Sequence, residues 1–140
     1  MLKGIPSILS PELLKIMMEM GHGDEIVLGD GNFPGASVNP RCIRCDGHGV
    51  PELMKAMLEL MPLDTYAKPV YLMAKVPGDN VETPIWDEYK KIIAPHTDDA
   101  PEEVERFEFY ERAKKAYAVV MTGESALYAN VILKKGVVKE

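Results

Sequence analysis

Cysteine is scarce in this chain, two residues in 140, too few for the disulfide framework that small secreted folds use to supplement a core. Positive charge is not in excess either. Sixteen Lys and Arg stand against 22 Asp and Glu, for a formal charge of -6. No basic stripe is available to neutralise phosphates, so nucleic acid is not an expected partner. No apolar run approaches the roughly 18 residues of a membrane-spanning helix. Pro6, Pro11, Glu12 and Lys15 interrupt every apolar stretch that might act as a secretion signal. Internal repeats, heptads and low-complexity tracts are absent as well. Together these absences predict a folded cytoplasmic protein with no membrane association.

What is present fits that picture. A hydrophobic content of 46% beside 27% charged residues is the make-up of a globular protein. A chain of this size buries about two thirds of its surface as one domain, so a single domain over residues 1–140 is expected.

Local patterns alternate between two periodicities. Ser10-Pro11-Glu12 reads as a helix start, with a capping hydroxyl, a proline suited to the first turn and an acid at the positive dipole end. Leu13, Ile16, Met17 and Met20 follow at helical spacing, and Gly21 is placed for a C-terminal cap. Ile26-Val27-Leu28, bounded by glycine and aspartate, suits a buried strand ending just before Asp30. Asn32 to Gly35 reads as loop and Arg41 to Arg44 as a short strand. Helical spacing returns over Pro51 to Met61 and again from Thr83-Pro84 through Ile85, Tyr89 and Ile92, with a strand at Val70 to Val76 between them. Val104 to Phe109 alternates as a strand would, with Arg106 and Glu108 on one face and Phe107 and Phe109 on the other, before a short helix near Glu111 to Ala116. Tyr117 to Met121 and Asn130 to Leu133 complete the strands. The alternation predicts an α/β fold, a three-layer α/β/α sandwich around a largely parallel sheet.

Few residues carry chemistry at a telling spacing. Cys42-Ile43-Arg44-Cys45 with His48 invites a redox or zinc reading. On a strand, however, positions three apart point to opposite faces, and a structural zinc site needs four ligands that two Cys and three scattered His do not supply. Two packed or partly exposed thiols are expected instead. His22, between Gly21 and Gly23, is committed to no core face, which leaves it either solvated or free to move protons near neutrality. Asp30 stands past the carboxyl end of a strand, where open α/β sheets gather ligands, and reads equally as a turn aspartate. Tyr128 and Asn130, two apart at a strand entrance, aim a phenol and an amide to one side if extended, and both can donate and accept, which suits sugar hydroxyls; the alternative is an asparagine turn with a packed tyrosine. Trp86 and the nine methionines read mainly as packing.

Several blocks in fixed order then resemble a known family. They are Met20-Gly21-His22-Gly23-Asp24-Glu25-Ile26, Asp30 with Phe33-Pro34, Arg106 to Ala113, Thr122-Gly123-Glu124, Tyr128 with Asn130, and Leu133 to Val137. The chain is similar over nearly its whole length to the fucose branch of the RbsD/FucU family. That resemblance implies an RbsD-like fold and an enzyme interconverting the α and β anomers of L-fucose without metal or organic cofactor. It also implies a homo-oligomer, commonly a decamer of two stacked pentamers. It makes His22 the catalytic histidine, Asp30 a sugar ligand and Tyr128, Ala129 and Asn130 a sugar-binding stretch. Arg106 matches the arginine of the fucose branch, where the ribose branch commonly has histidine.

Two other readings remain at this level: a D-ribose pyranase-type mutarotase, and a non-catalytic monosaccharide-binding protein that needs the sugar ligands but no titrating histidine. Chain geometry adds one expectation. If Glu25 to Gly29 is extended, the path from His22 to Asp30 covers up to roughly 26 Å at about 3.3 Å per residue. One sugar then meets both residues only through a sharp bend or through a site built from two copies.

Overall fold

In a computed structural model that describes residues 1–140, six strands and five helices form one sheet flanked by helices on both faces. The elements are α1 (Pro11–Glu19), β1 (Glu25–Gly29), α2 (Gly35–Val38), β2 (Cys42–Cys45), α3 (Val50–Leu58), β3 (Val70–Met73), α4 (Pro84–Ile93), β4 (Glu102–Val104), α5 (Arg106–Lys115), β5 (Ala118–Thr122) and β6 (Val131–Lys134). The sheet order is β2-β5-β1-β6-β3-β4. Parallel pairing joins β1 to β5, β2 to β5 and β3 to β4. β6 runs antiparallel to both its neighbours, β1 and β3. Five strands therefore share a direction and one opposes them, a mixed version of the expected sheet. No helix is long and apolar enough to cross a membrane.

The central strands are apolar without interruption because both faces are covered. Ile26 and Leu28, Ala118 and Val120, Val131 and Leu133, and Val70 and Leu72 face the core shared with α1, α3 and α4. Their alternates Val27, Val119, Met121, Ile132, Tyr71 and Met73 face the second core, where Phe33, Phe109 and Ala113 pack. The period-2 switch between the two cores is the three-layer sandwich expressed residue by residue. β2 and β4 form the edges, and β4 carries exposed Glu102 and Glu103, charges that discourage further pairing.

The starts of α1, α3 and α4 follow the sequence signals, while the start of α5 and some helix ends depart from them. The Ser10 hydroxyl accepts a hydrogen bond from the Leu13 amide at 3.1 Å. Gly21 does not adopt the left-handed cap conformation. Instead Lys135 Nζ donates to the carbonyls of Met17 and Met20 at 2.9 and 2.6 Å, a cation at the negative helix end. The strand expected over Val104 to Phe109 is divided. β4 stops at Val104, and the Glu105 carboxylate accepts the amides of Phe107 and Glu108 at 2.8 and 3.2 Å, which starts α5 at Arg106. Phe109 is buried and Phe107 exposed, the outcome of a helix rather than of a strand that would align them. The short α2 begins at Gly35, the last residue of the expected loop, and runs through positions given no element from the sequence, and β3 ends at Met73 rather than Val76.

Candidate functional site

Polar groups gather at two opposite edges of the sheet. At the edge where β1, β3, β4 and β5 end, Asp30 follows Gly29, and its amide donates to Asn130 Oδ1 at 2.7 Å. Asp30 Oδ1 in turn accepts the Asn32 amide at 2.9 Å. Burial raises the Asp30 pKa above the usual carboxylate range; the amides of Asn32, Phe33 and Ala129 pull against that rise and the charge of Glu124 adds to it. Gly31 donates to the Glu124 carbonyl at 2.8 Å, and Thr122 Oγ1 donates to the Gly29 carbonyl at 2.8 Å. These bonds tie the loop after β1 to the turn after β5. Gly29 has no room for a side chain, because a Cβ there would stand 2.9 Å from Phe33 Cβ.

Tyr128 enters the same edge with φ +56°, the one non-glycine residue in the left-handed region. Its carbonyl accepts the Trp86 indole N–H at 2.7 Å, and the neighbouring Ala129 carbonyl accepts the Tyr89 hydroxyl at 2.6 Å. Ala129 is fully buried, and that bond anchors the backbone between Tyr128 and Asn130. The hydrogen bond from the Tyr128 hydroxyl to Asp79 holds the phenol pKa above its ordinary value and the Asp79 pKa below its own. Arg106 is exposed at the first turn of α5, with its guanidinium over the Phe107 ring at 4.7 Å, and its charge is felt at Tyr128. A cation in a helix's first turn opposes the dipole, so helix stability does not account for its position.

His22 stands at the other edge. Gly23, at φ +85°, reverses the chain beside it and donates to the Lys135 carbonyl at 2.8 Å. Asp24 Oδ2 accepts the Gly21 amide at 2.8 Å and closes the turn. His22 Nε2 lies 2.9 Å from Asp64 Oδ1, with the imidazole 44% exposed and the carboxylate 4%. Asp64 is brought there by its amide, which donates to the Lys134 carbonyl at 3.0 Å. Burial acts to raise the Asp64 pKa, but the bond from His22, the amides of Tyr66 and Thr65 and the His22 charge together hold it below the usual range. An ionised carboxylate only accepts, so His22 donates from Nε2 to Asp64. The Tyr66 ring lies 5.2 Å from the imidazole.

The structure thus joins Asp30, Arg106, Tyr128, Ala129 and Asn130 at one edge and sets His22 apart at the other. Asp64 and Asp79 carry no motif and were invisible in the sequence. Cys42 packs against one core and Cys45 against the other, so the two thiols lie on opposite sheet faces, and burial pushes both pKa values up. Neither a disulfide nor an activated thiolate is built there. No group of three or more His, Cys, Asp or Glu side chains is placed to hold a metal.

Comparison with known proteins gives a consistent match. A model of the RbsD / FucU transport protein family fits residues 3–138. Fucose mutarotase of Danio rerio is 55% identical, covering 98% of this chain and 94% of that protein. Two crystal structures superpose closely. FucU from Bifidobacterium longum has a TM-score of 0.95 and 56% identity, covering 98% of this chain and 100% of the other. Fucose mutarotase from Streptococcus pneumoniae in complex with L-fucose has a TM-score of 0.93 and 53% identity, covering 99% of this chain and 100% of the other.

Proposed function

The chain belongs to the RbsD/FucU family, and from that premise we propose that it interconverts the α and β anomers of L-fucose, as a cytoplasmic homo-oligomer. Mutarotation opens the cyclic hemiacetal, turns the C1–C2 bond and recloses the ring on the other face. It needs a base at the anomeric hydroxyl and a proton at the ring oxygen, with the roles exchanged on closure. His22 is suited to the first task, while solvent water supplies the proton at the ring oxygen and recovers the one that His22 takes up. Its Nδ1 lone pair takes the anomeric proton while buried Asp64, 2.9 Å from Nε2, fixes the tautomer and offsets the imidazolium charge. A positioned acid or base contributes on the order of 10² to 10⁴ in rate.

Asp30 accepts sugar hydroxyls, the Asn130 amide NH₂ and the Arg106 guanidinium donate to hydroxyl or ring oxygens, and Tyr128 lines the same edge. Arg106 favours fucose over ribose. Because His22 and the sugar ligands occupy opposite edges, the complete site pairs His22 of one copy with the Asp30 cluster of another. A heterologous contact of this kind, repeated around a ring, completes every site and fits a decamer of two pentamers.

The observation that carries the catalytic reading is the His22–Asp64 pair. A sugar-binding protein needs no titratable ring oriented by a buried carboxylate on an exposed loop. Saturation-transfer NMR between the α and β signals of L-fucose tests it. Exchange in EDTA well above the buffer rate, with L-fucose preferred to D-ribose, is expected. Exchange equal to buffer overturns the reading, and a preference for ribose reassigns the substrate.

A further inference from the structure

The residues after β3 form a loop tied to Tyr128 by two hydrogen bonds. Gly78, at φ +88°, turns the chain, and the Asp79 amide donates to the Val76 carbonyl at 3.0 Å. Asp79 uses its two oxygens differently. Oδ1 accepts the Val81 amide at 3.1 Å and holds its own turn, while Oδ2 accepts the Tyr128 hydroxyl proton at 2.5 Å. The Val76 amide donates to the same phenol oxygen at 3.1 Å.

A tyrosine at φ +56° sits in a backbone region that L side chains disfavour and keeps that conformation only where its surroundings hold it. Here Trp86 grips the carbonyl and the loop grips the hydroxyl.

A phenol hydroxyl has one proton and two lone pairs. Asp79 takes the proton and Val76 occupies one lone pair, which leaves one lone pair without a partner. Resting on the assignment of Tyr128 to the sugar site, we infer that Asp79 is a positioning residue that fixes the Tyr128 phenol as a hydrogen-bond acceptor. The loop from Val76 to Val81 is thereby part of the sugar site, and the sugar group facing Tyr128 must be a donor. A hydroxyl satisfies this requirement. A fluorine in its place, an acceptor only, meets a lone pair and is rejected.

Asp79→Asn inverts this polarity without dismantling the turn. The Val81 amide keeps the Asn oxygen on its side, so the amide NH₂ faces Tyr128, donates to the phenol oxygen and releases the phenol proton toward the sugar. The test measures dissociation constants of the full-length oligomer for L-fucose and for three analogues with fluorine replacing the hydroxyl at C2, C3 or C4. In the unsubstituted protein one analogue should bind about tenfold or more weakly than L-fucose, the scale of an unmet hydrogen bond. In Asp79→Asn that preference for hydroxyl should shrink several-fold, and in a Tyr128→Phe background Asp79→Asn should change nothing further. A purely structural role would weaken all four ligands alike. The inference is overturned if no analogue is discriminated, if the preference is unchanged in Asp79→Asn, or if its effect persists without the phenol. If Tyr128→Phe leaves L-fucose affinity unchanged, the inference falls together with the assignment of Tyr128 to the sugar site. Anomer exchange that depends on His22 would survive that result, so the two failures are distinguishable.

Discussion

His22 and Asp30 lie at opposite ends of β1, held apart by five extended residues and anchored to opposite ends of β6. Gly23, beside the histidine, bonds to the Lys135 carbonyl, and the Asp30 amide bonds to Asn130 Oδ1. Four strand steps alone span about 13 Å, and the Gly23 turn bends the chain outside the strand without bringing its ends together. On the proposed function, a histidine and an aspartate separated in this way reach one pyranose through the meeting of two copies.

Replacing His22 by Ala should lower the rate of L-fucose anomer exchange by about 10²–10⁴-fold while leaving the sugar dissociation constant within a few-fold. NMR exchange and ligand titration on the same sample separate the two quantities. Retained exchange would reduce His22 to a loop residue.

Asp64 predicts a pH signature in stability. Its folded pKa is lowered, so its contribution is fully present above the unfolded value of about 3.9 and is lost as pH falls through the folded value. His22→Ala removes a lowering partner but leaves the burial. The variant should be less stable by about 1 kcal/mol at pH 7, and the gap should close toward pH 3. Urea unfolding across that range measures it; a gap independent of pH contradicts the pairing.

The opposite sign holds at Asp30. Its folded pKa is raised by burial, so its contribution is present below the unfolded value and declines as pH rises through the folded one. Asp30→Asn should therefore gain stability relative to the parent between pH 4 and pH 7. Its kcat/KM for anomer exchange should fall about 10–100-fold, the scale of a lost charged hydrogen bond. Function and stability then conflict at this residue, as at many ligand sites.

Much of this was legible in the residues. Ser10-Pro11-Glu12 marked α1, and the continuous apolar strands with helical stretches between them gave the layered α/β sheet. The same alternation misled at Arg106 to Phe109, because a carboxylate cap at Glu105 outweighs a strand-like pattern of aromatics and charges. Asp30, Tyr128 and Asn130 could be nominated from strand ends and spacing. Asp64 could not: it reaches His22 across 42 positions through pairing with the end of β6, a relation no local spacing encodes. Asp79 was hidden likewise, since its partner lies 49 positions away.

The claim that the complete site needs two copies is tested most directly by mixing His22→Ala and Asp30→Ala proteins under conditions that exchange subunits, then measuring L-fucose anomer exchange by NMR. Some interfaces in the mixture pair an intact His22 with an intact Asp30 cluster. Activity of the mixture above that of either parent alone is the expected result. No recovery despite demonstrated subunit exchange, or full activity in a verified monomer, would place the whole site within one chain.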